Sequence, residues 1–232
     1  MSVPRAFIFD VFGTMVDWRE SVAREAARAF SAKAITTDPY AFADFWRGRY
    51  DPAMERIRSG GRGYVQLDDL HRENLDETLA HFKLEPFFNE QERDTLNTAW
   101  EKLDPWPDVV DGLHALKAKA IIAPCSNGSI ALMTRLAKYG GLPWDCILGA
   151  EIAQNYKPEP VVYHACCNAL RLQPNEVMMV AAHNNDLHAA QACGLQTAFI
   201  ARPIERGPGQ TIDLAPNGDW DRVIDRISDL AH

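Results

Sequence analysis

The chain has 232 residues, of which 47% are hydrophobic and 24% are charged, values typical of a globular protein rather than a disordered or low-complexity chain. The net charge of −8 provides no general basic field for a polyanion, so we do not expect a nucleic-acid partner. No apolar run approaches the roughly 20 residues of a membrane helix, and no signal-type segment is present. We therefore expect a cytoplasmic protein without a membrane partner. A local basic cluster consists of Arg47, Arg49, Arg56, Arg58 and Arg62.

Short apolar runs recur along the chain, and each is too brief for a helix. They predict buried parallel strands at residues 6–9, 120–124, 146–148, 177–181 and 197–201. Helical periodicity between most of them predicts helices at residues 109–119, 130–138, 160–170 and 187–193. This alternation predicts an α/β fold with a doubly wound, Rossmann-like parallel sheet.

Residues 18–103 interrupt the alternation, because they have helical periodicity and charged faces but no convincing strand. A glycine-rich run at residues 60–63 predicts a turn between two of the helices in this segment. We therefore predict a core of residues 1–17 plus 104–232, with residues 18–103 inserted as a helical domain.

The cysteines are odd in number and lack the CxxC spacing of a zinc site, so we expect reduced, buried thiols. A nucleophilic role for Cys125, which precedes Ser126, is a minor alternative because its flank is apolar and no histidine partner is evident.

Polar residues follow the predicted strands at the edge of the sheet where ligands bind in doubly wound folds. Each has an ordinary structural explanation, since aspartate and serine often cap helices and lysine is usually solvated. Their joint placement at one edge nevertheless predicts a catalytic site. The positions are Asp10, Ser126, Lys157 and residues 183–186.

Four segments resemble, in their usual order, the motifs of the haloacid dehalogenase superfamily. The resemblance spans the whole chain and places residues 18–103 where that superfamily has its helical cap. Phosphatases of the superfamily carry a second aspartate two residues after the nucleophile and a Gly-Asp pair that holds magnesium. This chain has Phe12 and Ala181-Ala182 in those places. The four segments are Asp10-Val11-Phe12-Gly13-Thr14, Cys125-Ser126-Asn127-Gly128-Ser129, Tyr156-Lys157-Pro158 and residues 181–186.

Both replacements have the same chemical meaning. A phosphate monoester needs a cation for its oxygens and an acid for its leaving alkoxide, whereas a halide leaves as a weakly basic anion. The resemblance is therefore closest to the L-2-haloacid dehalogenases. It implies hydrolysis of short 2-haloalkanoic acids, such as haloacetate and L-2-halopropionate, to 2-hydroxy acids without metal or cofactor. The alternatives are a phosphatase acting on a small phosphate ester and an inactive binding protein of the same fold. Related enzymes also make a homodimer possible by analogy.

The resemblance assigns catalytic roles to six residues. Asp10 would attack the carbon that bears the halogen, and Thr14 would hold its carboxylate in line. Lys157 would keep Asp10 ionised and help to bind the substrate carboxylate. Asp186 would orient Lys157 and polarise the hydrolytic water. His183 is either a water-positioning group or general base, or a structural residue that fills the space beside Ala181, and Asn184 is a lesser candidate for the same work.

Further residues are assigned to binding. Arg47 would receive the halide, since a guanidinium suits a large anion in a dry pocket, although it could equally be a surface residue of an amphipathic helix. Asn127 would assist it. The substrate-binding candidates are Ser126, Tyr163 and the backbone N–H groups near Val11 and Phe12. The aromatic residues Phe42, Trp46 and Tyr50 either line the pocket or only pack.

Overall fold

The structure is a computed structural model, and residues 3–232 are described. The strands are β1 (Ala6–Phe9), β2 (Val16–Asp17), β3 (Asp104–Pro105), β4 (Ile121–Ser126), β5 (Leu148–Gly149), β6 (Val177–Ala181), β7 (Gln196–Ile200) and β8 (Arg222–Ile224). The helices are α1 (Trp18–Ser31), α2 (Pro39–Gly48), α3 (Tyr50–Arg58), α4 (Leu67–His81), α5 (Glu90–Asn97), α6 (Val109–Lys117), α7 (Ile130–Gly140), α8 (Ala150–Ala153), α9 (Pro160–Leu170) and α10 (Asn184–Ala192). Short 3₁₀ turns lie at Glu85–Phe87, Thr98–Glu101, Pro174–Glu176 and Ile227–Ala231.

Six strands form one parallel sheet in the order β5-β4-β1-β6-β7-β8. The side chains of β1, β6 and β7 are all buried, as expected for strands that are covered by helices on both faces. Phe9 is in register with Pro124 of β4 and with Val180 of β6. The carboxyl ends of these three strands therefore lie level, and the residues that follow them are brought together.

The helices α1 to α5 lie between β2 and β3, which pair as a short antiparallel ribbon at the base of this segment. We call residues 18–103 the helical insertion. Its interior is aromatic: Phe42 packs edge-on against Phe30 and Trp46, with ring centroids 5.1 and 6.0 Å apart. Asp17 caps α1 by accepting a hydrogen bond from the backbone N–H of Glu20.

The predicted α/β fold with a doubly wound parallel sheet is confirmed, and the predicted strands and helices are present with shifted ends. The strand predicted at 146–148 is observed at Leu148–Gly149, and the strand predicted at 120–124 extends to Ser126. The edge strand β8 was not predicted, because its three residues are only partly buried and show no apolar run. The helix predicted from Leu187 begins at Asn184, since the polar residues 184–186 form its first turn.

The cysteines form no disulfide within residues 3–232, but the prediction that they are buried holds only in part. Cys125, Cys166 and Cys167 are buried, whereas Cys146 and Cys193 are partly exposed. The Cys125 thiol lies 3.6 Å from that of Cys166, and this contact together with burial raises the pKa of Cys125 well above its usual value. A thiol held protonated in this way is a poor nucleophile.

Within residues 3–232, none of the helices combines the length and apolarity needed to cross a membrane.

Candidate active site

Asp10 follows β1 directly and anchors the site at the edge of the sheet. Its backbone N–H donates to the carbonyl of Val180 at 3.0 Å, so the residue continues the ladder to β6 although it is outside the strand. Its side chain is 10% exposed. Burial opposes ionisation, but the charges of Lys157 and His183 outweigh it and hold the pKa of Asp10 well below its usual value. Asp10 is therefore a buried carboxylate that stays ionised.

Lys157 provides the principal countercharge. Its Nζ donates to Oδ1 of Asp10 at 2.9 Å and to Oδ2 of Asp186 at 2.5 Å. Burial favours the neutral amine, but these two carboxylates raise the pKa of Lys157 well above its usual value. The opposite oxygen of Asp186 accepts from the hydroxyl of Tyr163 at 2.5 Å. Tyr163 thus contacts Asp186 and does not line the cavity described below.

Thr14 holds the other oxygen of the Asp10 carboxylate. Its hydroxyl donates to Oδ2 of Asp10 at 2.6 Å, the kind of contact that the resemblance implies for Thr14. The same hydroxyl accepts from the backbone N–H of Ala182 at 2.9 Å. The loop after β1 and the end of β6 are therefore tied together directly beside the carboxylate. Within residues 3–232, the backbone N–H groups of Val11 and Phe12 have no hydrogen-bond partner.

His183 reaches the same oxygen of Asp10 from the end of β6, and a buried glutamate holds its far side. Nδ1 of His183 lies 3.1 Å from Oδ2 of Asp10, and Nε2 lies 2.9 Å from Oε2 of Glu205. Burial opposes the cation, but the Glu205 and Asp10 carboxylates raise the pKa of His183 to about 10. The imidazole is therefore a cation at neutral pH in this arrangement.

Glu205 was not among the predicted site residues. It is 1% exposed, and its Oε1 accepts from the indole N–H of Trp18 at 2.9 Å. Gly13, with φ +87°, makes room for it, because a Cβ on Gly13 would lie 2.2 Å from Oε1 of Glu205. Its one signal in the sequence is its position five residues beyond the end of β7, on the same edge of the sheet.

Arg47 faces the carboxylates from the insertion. It lies near the end of α2, and its guanidinium is 3.8 Å from the ring centroid of Tyr50 and 5.5 Å from that of Trp18. It has no ion-pair partner among residues 3–232. Arg58, in contrast, pairs with Asp51 and donates to the backbone carbonyl of Lys157 at 2.9 Å. Members of the basic cluster therefore differ in their ion pairing, and Arg47 reaches the site without an ion pair among the described residues.

Phe12 closes the apolar side of the site. Its ring packs edge-on against Tyr50 and Trp100, with centroids 6.3 and 5.9 Å apart, and also against His71. The position two residues after Asp10 is thus built into the aromatic interior of the insertion. Tyr50 lines the cavity, whereas Phe42 and Trp46 are fully buried packing residues.

A cavity of about 790 Å³ lies between the sheet edge and the insertion. It brings together most of the predicted residues, but Val11, Thr14, Ser126 and Tyr163 do not line it. Ser126 is fully buried, and its hydroxyl accepts from the N–H of Gly128 at 3.0 Å, so it shapes the turn after β4. The predicted residues that do line the cavity are Asp10, Phe12, Arg47, Asn127, Lys157, His183, Asn184 and Asp186.

The side-chain amides of Asn127 and Asn184 also have partners within the protein. The Oδ1 atom of Asn127 accepts from the backbone N–H of Lys157 at 2.8 Å, so it helps to fix the lysine. The amide of Asn184 donates to Oδ1 of Asp213 at 2.8 Å and accepts from Nε1 of Trp220 at 3.1 Å. It also bonds backbone groups of residues 215 and 217. An amide with all its positions occupied cannot also hold a water, which argues against the predicted catalytic role of Asn184.

The geometry of the site suits chemistry by a carboxylate. Donors hold both oxygens of the buried, ionised Asp10. Phe12, two residues further on, is apolar and cannot act as an acid, and the guanidinium of Arg47 lies on the opposite side of the cavity. Such a carboxylate can attack carbon and form an ester.

Comparison with known proteins agrees with this chemistry. A family model of haloacid dehalogenase-like hydrolases matches residues 4–194, and the chain therefore belongs to that family. The (S)-2-haloacid dehalogenase 4A of Burkholderia cepacia is 31% identical over 202 residues, which cover 85% of this chain and 83% of the relative. The crystal structure of a defluorinating L-2-haloacid dehalogenase is 51% identical with a TM-score of 0.96, covering 98% of this chain and 94% of the other. A phosphoglycolate phosphatase of Chromobacterium violaceum is 31% identical over 200 residues, which cover 82% of each chain.

Proposed function

We propose that the protein hydrolyses short 2-haloalkanoic acids to 2-hydroxy acids through an ester on Asp10. The observation that carries the proposal is the pairing of an ionised Asp10 with an apolar Phe12, which is packed among aromatic side chains. Phosphate ester hydrolysis needs an acid for the leaving alkoxide, and Phe12 cannot supply one. The resemblance to (S)-2-haloacid dehalogenases supports the same substrate class.

In the first step, a carboxylate oxygen of Asp10 attacks the carbon that bears the halogen. A carbon–oxygen bond forms, the carbon–halogen bond breaks with inversion, and the halogen leaves with the electron pair as halide. Lys157 keeps Asp10 ionised and attracts the carboxylate of the substrate. The unpaired N–H groups of Val11 and Phe12 are donors for the same carboxylate, with Ser126 holding the nearby turn in place.

The halide leaves toward the insertion. Arg47 is a cation without an ion pair on that side, and its guanidinium lies 3.8 Å from the ring centroid of Tyr50, so it offers a weakly hydrated charge beside an aromatic side chain. Asn127 borders the same cavity. The relative that is described as defluorinating makes fluoroacetate a necessary member of the test set.

In the second step, water attacks the carboxyl carbon of Asp10 and releases the hydroxy acid. Asp186 orients Lys157, and Tyr163 in turn fixes Asp186. We further propose that residues 18–103 act as a cap over a core of residues 1–17 plus 104–232, since Arg47 and Tyr50 reach the cavity from the insertion. A homodimer and a cytoplasmic location stay predictions.

The decisive experiment measures halide release. The purified protein is incubated in chelator with chloroacetate, fluoroacetate or either enantiomer of 2-chloropropionate, and a phosphatase substrate with magnesium is run in parallel. We expect halide release with preference for the L enantiomer, and its loss in Asp10→Asn, which keeps the shape but removes the nucleophile. Magnesium-dependent phosphate release without halide release would favour the phosphatase. Inactivity in both assays would favour a binding protein.

A further inference from the structure

Glu205 forms a buried chain with the nucleophile through His183. Oε2 of Glu205 lies 2.9 Å from Nε2 of His183, and Nδ1 of His183 lies 3.1 Å from Oδ2 of Asp10. Trp18 fixes the other oxygen of Glu205, and Gly13 allows the carboxylate to approach. A nucleophile, an imidazole and an orienting carboxylate in this order are the arrangement in which histidine acts as a general base.

Asp186 is less well placed for that role. Its two carboxylate oxygens accept from Lys157 and Tyr163, both at 2.5 Å, so it is occupied as a countercharge. His183 instead faces the carboxyl group of Asp10 with a ring nitrogen, while its other nitrogen is held by Glu205. Among the charged groups at the site, only this pair can accept a proton beside Asp10 without breaking the Lys157 ion pairs.

We propose that Glu205 is a positioning residue that makes His183 the general base for hydrolysis of the Asp10 ester. The inference rests on the proposed function. It assigns the two steps of the reaction to groups on opposite sides of Asp10. Lys157 and Asp186 serve the alkylation step, whereas His183 and Glu205 serve the hydrolytic step.

The charge of Asp10 couples the two steps. In the free protein, Asp10 and Glu205 raise the pKa of His183 to about 10, so the imidazole is a cation that stabilises the ionised nucleophile. Alkylation turns Asp10 into a neutral ester and removes one of these two contributions, which lowers the pKa of His183. The imidazole then loses a proton to solvent, and this is the net proton of the overall reaction.

In the hydrolytic step, His183 acts first as a base and then as an acid. Nδ1 of the neutral imidazole takes one proton from water as the water oxygen bonds to the carboxyl carbon of Asp10. The tetrahedral intermediate collapses with cleavage of the bond to the alkoxide oxygen, and His183 returns the proton to that alkoxide. The new carboxylic acid of Asp10 transfers its own proton to His183, which restores the carboxylate and the cation.

The test is Glu205→Gln, which keeps the shape of the side chain but removes its charge. Rapid mixing with chloroacetate should give a burst of about one halide per enzyme, followed by turnover reduced about 10²-fold, the lower end of what a positioned base contributes. Intact-protein mass spectrometry should show the carboxymethyl ester on Asp10 accumulating. Glu77→Gln, on the exposed face of α4, is the matched control and should turn over without accumulation.

A second readout separates positioning from a purely structural role. The low-pH limb of kcat reports protonation of His183 in the ester, where Asp10 is neutral and Glu205 is the carboxylate that faces the imidazole. Arg47, which acts on Glu205, and the Lys157–Asp186 pair complete the charged surroundings. Glu205→Gln should move this limb to lower pH, because it removes the charge that raises the pKa of His183.

The outcomes distinguish the two proposals. Normal turnover in Glu205→Gln, or slow turnover without a burst and without ester, would overturn the role of Glu205 while leaving dehalogenation intact. No halide from the wild-type protein would overturn the proposed function and this inference together. If Glu205→Gln does not fold, Trp18→Phe, which removes the indole N–H that donates to Oε1 of Glu205, should shift the same pH limb, and an unmoved limb would count against the proposal.

Discussion

The two sides of the cavity are built differently. On the sheet side, every charged group at Asp10 has a partner, because two cations bridge three carboxylates: Lys157 and His183 both contact Asp10, and each also contacts one further carboxylate. On the insertion side, Arg47 has no ion pair among the described residues. The buried side-chain polar atoms that lack a hydrogen-bond partner within residues 3–232 also all lie between residues 49 and 100.

This difference indicates a division of labour. A carboxylate nucleophile must be held in one position and kept ionised before the substrate arrives, and a fully paired network does both. In the proposed mechanism the opposite wall receives the halide, so a cation without an ion pair in the protein is an advantage there. Stability and catalysis should therefore be coupled on the sheet side and separable on the insertion side.

The largest effect is expected at Lys157. In Lys157→Met, the carboxylates of Asp10 and Asp186 lose their shared cation while buried, so halide release should fall below detection. The free energy of unfolding should drop by about 3–5 kcal/mol, the usual cost of breaking a buried ion pair. Urea denaturation and the halide assay measure the two effects.

A double variant separates the loss of stability from the loss of halide release. Lys157→Met combined with Asp186→Asn removes one of the two orphaned charges and should recover part of the stability without recovering halide release. Equal stability of the single variant and the wild-type protein would contradict the coupling on the sheet side.

On the insertion side, Arg47→Gln should lower the rate of halide release about 10²-fold, because the leaving anion loses its cation. The free energy of unfolding should change by no more than about 1 kcal/mol, since only contacts with Tyr50 and Trp18 are lost. Arg56→Gln, an exposed member of the same basic cluster, is the control and should have neither effect. A strongly destabilised Arg47→Gln would remove the contrast between the two walls.

Gly13 tests how closely the sheet side is packed. Gly13→Ala places a Cβ 2.2 Å from Oε1 of Glu205, so the glutamate has to move. The alanine also has to adopt a φ of +87°, which strains the backbone. We expect a loss of about 1–3 kcal/mol in the free energy of unfolding and about a 10-fold slower turnover. Gly209→Ala is the matched control, because nothing lies within 4 Å of its Cβ position. Unchanged turnover in Gly13→Ala would show that Glu205 is not needed where it lies.

The sequence predicted which residues gather at the sheet edge better than it predicted the contacts that fix them. The ends of β1 and β6 placed Asp10, His183 and Asp186 correctly, because parallel strands in register bring their carboxyl ends to one edge. Glu205 could not be predicted from periodicity, since it lies in an irregular segment and is buried only through non-local contacts with Trp18 and Gly13. The partners of Asn184 are likewise set by the segment that precedes β8, which has no apolar run.

The pH dependence of stability tests the buried cation beside Asp10. Folding raises the pKa of His183 from 6.5 to about 10, so its contribution is complete below pH 6.5 and is lost as the pH rises through 10. Lys157 stays charged in this window because its pKa lies still higher, and Asp10 and Glu205 stay ionised because theirs are lowered. The free energy of unfolding, measured in urea, should therefore decline across this window in the wild-type protein and less in His183→Asn. Parallel curves for the two proteins would mean that the imidazole is neutral beside Asp10, and the sheet side would then hold one buried cation instead of two.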